Sequence, residues 1–182
     1  MLGERERVLK QNELTAFNQA VLPHLHAAYN LARWLTRNDQ DAEDVVQEAS
    51  LRAFKYWKGF SGRDCRSWLL AIVRNTYYSW LRQRSVQPEL TPDGEVDDLE
   101  ESVPNPENMM LQNADRELLK AALEELPVEF REAIVLREME GLSYKEIADI
   151  EGVPIGTVMS RLARARKRLL IYLTNATARN YL

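Results

Sequence analysis

Three groups of side chains in this 182-residue sequence have types and spacing suited to chemistry with a partner. The first lies near the C-terminal end. There Thr157, Ser160, Arg161, Arg164 and Arg168 fall on one side of a helix whose other side is the apolar stripe Val158, Leu162, Ala165 and Leu169. Guanidiniums and hydroxyls on an exposed face suit phosphates and base edges in a major groove. The second group, within Lys55 to Arg84, interleaves cations with aromatic rings: Arg74, Asn75, Tyr77, Tyr78, Trp80 and Arg82 surround the core side Leu69, Ile72, Val73 and Thr76 of a helix expected at Arg66 to Arg84. Single-stranded nucleic acid needs flat rings for unstacked bases, worth about 1–3 kcal/mol per base, and charge for its phosphates. Trp57, Trp68 and Trp80 suit a core equally well. The third group is Asp44, Gln47, Glu48 and Leu51, opposite the inward stripe Ala42, Val45, Val46, Ala49 and Ala53. A leucine among acids on an outer face suits docking rather than solvation.

The residues that could carry catalysis are better explained structurally. Asp39, Asp41, Glu43 and Asp44 are of the type a metal-dependent hydrolase uses, but they crowd a helix start, where capping by Asp41 and the helix dipole account for them. No metal-ligating His or nucleophile joins them. His24 and His26, two apart on a helix, point to different sides. We therefore expect no enzyme, no metal and no cofactor. The single cysteine, Cys65, excludes an internal disulfide. Without a long uncharged apolar run, neither membrane insertion nor a signal peptide is expected, and the expected location is the cytoplasm.

The elements that must hold these groups are helices. Ser143 and Glu146 form a capping box, Gly152 permits a left-handed helix end, and Pro154 precedes a new start. Ala148, Gly152 and Val158 are small or apolar where two helices would cross, so Ser143 to Leu170 reads as a helix-turn-helix. Upstream, Leu118, Leu119, Ala122, Leu123 and Leu126 give a helix from Asn108 that stops at Pro127. Phe130, Ile134, Val135 and Leu136 give another over Val128 to Met139, closed by Gly141. In the N-terminal half, Met1 to Gln11 reads as a frayed end or short helix. Asn12 to Leu35 is helical through Phe17, Val21, Leu25, Ala28, Ala32 and Leu35, with Pro23 kinking or restarting it.

Between these halves, residues 87–107 hold four prolines, eight acids and no Lys or Arg, which makes a flexible acidic linker. The expected fold is all-α: two small helical domains at 1–86 and 108–182, the second a four-helix module with the helix-turn-helix. The net charge of −4 hides a strong division, since residues 1–86 carry +4, 87–107 carry −8, 108–151 carry −6 and 152–182 carry +6. A basic end of that kind is placed for a polyanion.

Four stretches in order, DAEDVVQEASLRAF, WLLAIVRN, LEELPVEFREAIVLREMEGLSYKEIAD and PIGTVMSRLARARKRL, resemble bacterial RNA polymerase sigma factors of the extracytoplasmic-function (ECF) group, within the sigma-70 family. The resemblance covers nearly the whole chain. It implies a subunit without a catalytic site that binds core polymerase, directs it to promoters and helps open them. Asp44, Gln47, Glu48 and Leu51 would dock on a coiled coil of the largest polymerase subunit. Phe60, Ser61, Arg63 and Arg66 would line a pocket for a flipped non-template base, and Arg74, Asn75, Tyr78 and Arg82 would hold the strand. Ser143, Thr157, Ser160, Arg161, Arg164 and Arg168 would contact the upstream duplex while the same module touches the polymerase flap. The acidic linker would lie in the polymerase cleft and RNA exit path. Control by an anti-sigma factor is implied, with sequestration at the inner membrane as one form of it. Met159 stands where many members have a basic residue, and Ser79 where an aspartate is common. The rival reading is a stand-alone helix-turn-helix regulator, which leaves the docking helix and the aromatic stretch without a use.

Overall fold

Pro23 divides the first long apolar pattern. In the computed structural model α1 (Leu2–Val21) ends just before it, a 3₁₀ turn spans Leu22–His24, and α2 (Leu25–Thr36) starts afresh, because proline lacks the amide that would continue α1. The structure describes residues 2–62, 64–86 and 106–180. Side chains within the helices are described only for 11–84, apart from Arg63, and for 114–176 and 178. The expected short or frayed N-terminal segment is instead the start of α1. The acidic linker lies outside the described residues, except that Pro106 and Glu107 open α5. No strand occurs among the described residues.

The chain divides into two compact units, Met1–Leu90 and Thr91–Leu182. In the first, α2, α3 (Asp39–Tyr56) and α4 (Cys65–Val86) pack mutually. Ala42, Val45, Ala49 and Ala53 of α3 are buried, and small side chains at three of these four positions let α2 and α4 approach closely. They meet Ala28, Leu31, Ala32 and Leu35 of α2 and Leu69, Leu70 and Val73 of α4 in one core. The start of α3 differs from expectation: Asn38, not Asp41, is the N-cap, and its side chain accepts from the Asp41 amide at 3.0 Å. Asn38 has the extended backbone a cap requires, and Asp41 already lies in the first turn. The Asp41 carboxylate instead accepts from Arg84 Nη1 at 2.8 Å, tying the start of α3 to the end of α4.

In the second unit, α5 (Pro106–Glu124) begins two residues earlier than expected, at a proline that needs no helical amide partner there. Helix α6 (Val128–Ile134) runs on as a π-helical turn over Val135–Met139, in which the Glu140 amide reaches the Val135 carbonyl at 3.0 Å. Gly141 then takes φ +67°, and the Leu142 amide closes the end on Leu136 O at 3.0 Å. Arg131, only 2% exposed, donates to the Glu124 and Leu126 carbonyls and so completes the end of α5. Helix α7 (Tyr144–Glu151) and α8 (Ile155–Asn180) form the helix-turn-helix. Gly152 serves it through its left-handed backbone, φ +67°, and not through close packing: a Cβ there would meet nothing within 4 Å. Leu119, expected inside, is 45% exposed.

Candidate docking face and nucleic-acid interfaces

On α3 the burial of the alanine stripe turns the opposite side outward. Asp44, Gln47, Glu48 and Leu51 are all exposed, and Leu51 shows 62% of its surface. Glu48 pairs with Arg52 one turn on, at 2.7 Å, which partly neutralises that acid. The face extends further than the sequence suggested: Phe54 and Tyr56 are 43% and 58% exposed. A groove of about 550 Å³ between α3 and α4 joins Leu51, Lys55 and Tyr56 to Ile72 and Asn75. Exposed apolar side chains rimmed by charges are the chemistry of a protein-docking surface.

The loop before α4 is rooted by rings. Phe60 stacks on Trp57 (centroids 5.2 Å apart, planes at 21°) and lies 4.8 Å from Trp68, while Phe17 meets Trp57 edge-on at 5.4 Å. Phe60 is therefore half-buried in an aromatic cluster, while Gly59, Ser61, Gly62 and Asp64 of the loop stand out in solvent. Arg63 lies outside the described residues. Asp64 caps α4, accepting from the Ser67 amide at 3.1 Å. Burial pushes the Asp64 carboxyl up, but hydrogen bonds from Ser67 and the Arg66 amide outweigh it and hold the group below its ordinary value. Burial also raises the neighbouring Cys65 thiol, with Asp64 adding to the effect.

Along α4, Arg74, Asn75, Tyr78 and Arg82 fall within about 100° of one another around the axis. Arg74 lies over the Tyr78 ring at 4.7 Å, and Arg82 reaches the Ser79 hydroxyl at 3.4 Å, so cation and ring are presented together. Arg66 is half-buried at the start of the same helix. Tyr77, expected on the outer side, is 5% exposed and belongs to the core, where its ring lies 5.2 Å from that of Tyr78.

In the second unit the capping box forms as the sequence requires: Ser143 Oγ accepts from the Glu146 amide at 3.2 Å, and the Ser143 amide donates to Glu146 Oε2 at 2.7 Å. Ser143 is exposed, but its hydroxyl is engaged in starting α7. On α8, Ser160, Arg164 and Arg168 are exposed and Thr157 is half-buried. Arg168 lies over the Phe130 ring at 5.3 Å and borders a groove of about 320 Å³ with Leu126, Ile171 and Tyr172. Arg161 turns inward to Glu151. Gly156, in the first turn of α8, has open space where a Cβ would stand, so no packing within the chain requires glycine there.

Among the described residues no group of three His, Cys, Asp or Glu could hold a metal ion, and no helix is long and apolar enough to cross a membrane.

Comparison with known proteins places both units. Residues 20–86 match Sigma-70 region 2 and residues 116–169 match Sigma-70, region 4. The chain is 37% identical to the ECF RNA polymerase sigma-E factor of Escherichia coli K12, over 90% of this chain and 89% of that protein. It is 37% identical to the ECF RNA polymerase sigma factor SigE of Mycolicibacterium smegmatis, over 90% of this chain and 63% of that longer protein. Among solved structures, the sigma factor RpoE of Bartonella quintana, crystallised with the anti-sigma factor NepR, is similar with a TM-score of 0.74 and 31% identity, over 87% of this chain and 97% of that one. CnrH, in complex with the cytosolic domain of CnrY, is similar with a TM-score of 0.64 and 26% identity, over 93% of this chain and 97% of that one. With both sigma-70 regions in order and relatives matched along most of their length, the chain belongs to the ECF RNA polymerase sigma factors.

Proposed function

We propose that this chain is a promoter-recognition subunit that acts only when mounted on core RNA polymerase. The observation that carries this is the exposed Leu51 among Asp44, Gln47 and Glu48, on a helix whose opposite side is fully buried. A helix with that face is built to be covered by another protein, here the coiled coil of the largest subunit. Residues 1–86 dock and engage the upstream edge of the promoter bubble. Residues 108–182 contact the flap and read the upstream duplex, and residues 87–107 strap the two together in the cleft and RNA exit path. Arg74, Asn75, Tyr78 and Arg82 supply rings and charge for the displaced strand, with Ser61, Arg63 and Arg66 near its flipped base and Phe60 anchoring that loop. Thr157, Ser160, Arg164 and Arg168 face the duplex, and Ser143 fixes the start of α7, which packs against the helix that presents them. The chain supplies no catalytic group or cofactor and directs the active site of the polymerase.

RpoE was solved with the anti-sigma factor NepR and CnrH with the cytosolic domain of CnrY, which supports control of this chain by an anti-sigma factor in the cytoplasm, with tethering at the inner membrane when that partner is membrane-bound. The test is run-off transcription with purified core polymerase on a pool of promoter fragments. Transcripts should start at a discrete set of sites and vanish for Leu51→Arg. A protein that shifts duplex DNA tightly on its own and adds nothing to core polymerase would be a stand-alone regulator instead.

A further inference from the structure

The first turns of α8 leave apolar side chains in the open beside a hydroxyl and a cation. Met159 is 54% and Ile155 46% exposed, four residues apart and so neighbours on one ridge of the helix. At 100° per residue, Met159, Ala163, Gly156, Ser160 and Arg164 follow one another across an arc of about 140° opposite the buried stripe Val158, Leu162 and Ala165, and all five are exposed. The two smallest, Ala163 and Gly156, occupy the middle of the arc, and a Cβ on Gly156 would meet nothing within 4 Å. The arc thus has a low centre, with the thioether of Met159 at one edge and the guanidinium of Arg164 at the other.

Charge decides what covers this face. Residues 152–182 hold six Lys and Arg and no acid, and Arg164, Lys167 and Arg168 are exposed on the same helix, so the surface attracts a polyanion. A recognition helix sets its N-terminal residues against base edges in the major groove, where the apolar group on display is the 5-methyl of thymine. Methionine, with three rotatable bonds and a polarisable sulfur, adapts readily to such a contact.

We propose that Met159 is a specificity-determining residue that reads a thymine of the upstream promoter element by covering its 5-methyl group, beside the polar contacts of Ser160 and Arg164. This rests on α8 being the duplex-reading helix. A phosphate contact adds equally to every sequence, whereas the methyl contact exists only where thymine stands and so enters discrimination directly. Burying one methyl group contributes about fourfold in affinity. Because no charge takes part, the contact leaves the salt dependence of binding unchanged.

Holoenzyme reconstituted with core polymerase is titrated onto a promoter from which it initiates, each thymine of the upstream element being replaced in turn by deoxyuridine. That replacement removes the methyl group and keeps the base pair. The parent should lose about fourfold at one thymine. Met159→Ala should fold, since the side chain is exposed, and should bind the unmodified promoter about as weakly as the parent binds the deoxyuridine duplex. It should also be indifferent to deoxyuridine at that position and keep the parent salt dependence between about 50 and 200 mM. Arg164→Ala should lose about tenfold on every one of these duplexes. If Arg164→Ala loses binding while each deoxyuridine is neutral for the parent, this proposal alone is overturned. Equal losses on deoxyuridine for the parent and Met159→Ala overturn it too, because another side chain would hold the methyl. So does a Met159→Ala chain that binds core polymerase more weakly, since the residue would then face protein. An unaffected Arg164→Ala together with neutral deoxyuridines would sink the duplex-reading role of α8, and this proposal with it.

Discussion

The proposed docking face of α3 and the proposed duplex face of α8 are presented in opposite ways. Helix α3 shows an exposed leucine and acids set on a rigid alanine stripe, with Glu48 paired only to an exposed neighbour on the same helix. Helix α8 shows cations, several of which are engaged by other parts of the unit: Arg161 by buried Glu151, Arg166 by Glu138 at 2.6 Å, and Arg168 by the Phe130 ring. A docking face is thus readable from which residues point outward. A nucleic-acid face also depends on which outward charges the fold has already spent.

The largest expected effect breaks the α3 side of that comparison. Leu51→Arg removes an apolar anchor and adds a charge to be buried, so affinity for core polymerase should fall by more than about thirtyfold, the scale of a central interface residue. Stability should stay within about 0.5 kcal/mol, because the residue is exposed. Fluorescence titration against core enzyme and a thermal melt check the two halves of this statement. On the α8 side, Arg161→Ala removes a charge-assisted hydrogen bond to the buried Glu151 carboxylate and should cost about 2 kcal/mol of stability. All four tryptophans, Trp34, Trp57, Trp68 and Trp80, lie in the first unit. Far-UV circular dichroism should therefore register the loss while tryptophan fluorescence does not.

Smaller effects sharpen the contrast. Ser143→Ala and Asp64→Ala each remove a helix cap and should cost about 1 kcal/mol, one in each unit. For Asp64 the carboxyl sits below its ordinary value of 3.8 when folded, so its contribution is present above that pH and is lost as pH falls through the lower folded value. The difference between Asp64→Ala and the parent, followed by tryptophan fluorescence, should accordingly close in strong acid. Glu48→Ala breaks an exposed pair within one helix and should change stability by only about 0.3 kcal/mol, against the threefold to tenfold larger energies of the buried pair.

What the sequence discloses and what it hides follow the range of the interactions. The capping box at Ser143, the left-handed glycines 141 and 152, the break at Pro23 and the alanine stripe of α3 are local, and each is legible from neighbours within four residues. The faces of Asp44 to Leu51 and of Arg74 to Arg82 follow from helical spacing alone. The pairing of Glu151 with Arg161 crosses a turn between residues ten apart, where no periodicity announces it, and Glu151 reads in sequence as one more acid. Arg131 is hidden in the same way, because its guanidinium ends α5 from within α6. Tyr77 and Phe60 are hidden for a different reason: rings interleaved with cations suit either bases or one another, and only packing shows that Tyr77 is core and Phe60 is stacked on tryptophan. Asn38 and Asp41 compete for one cap, and the backbone conformation at Asn38 decides it.

The central claim is that two separate surfaces, α3 for the enzyme and α8 for the duplex, act together only on polymerase. Abortive or run-off transcription with purified core enzyme, a single responsive promoter, and the parent, Leu51→Arg and Arg164→Ala chains measures this directly. The parent should initiate at one site. Leu51→Arg should fail on every template, and Arg164→Ala should fail selectively where the upstream element is needed. Equal transcript from all three chains, or none from the parent with folded protein and active core, contradicts it.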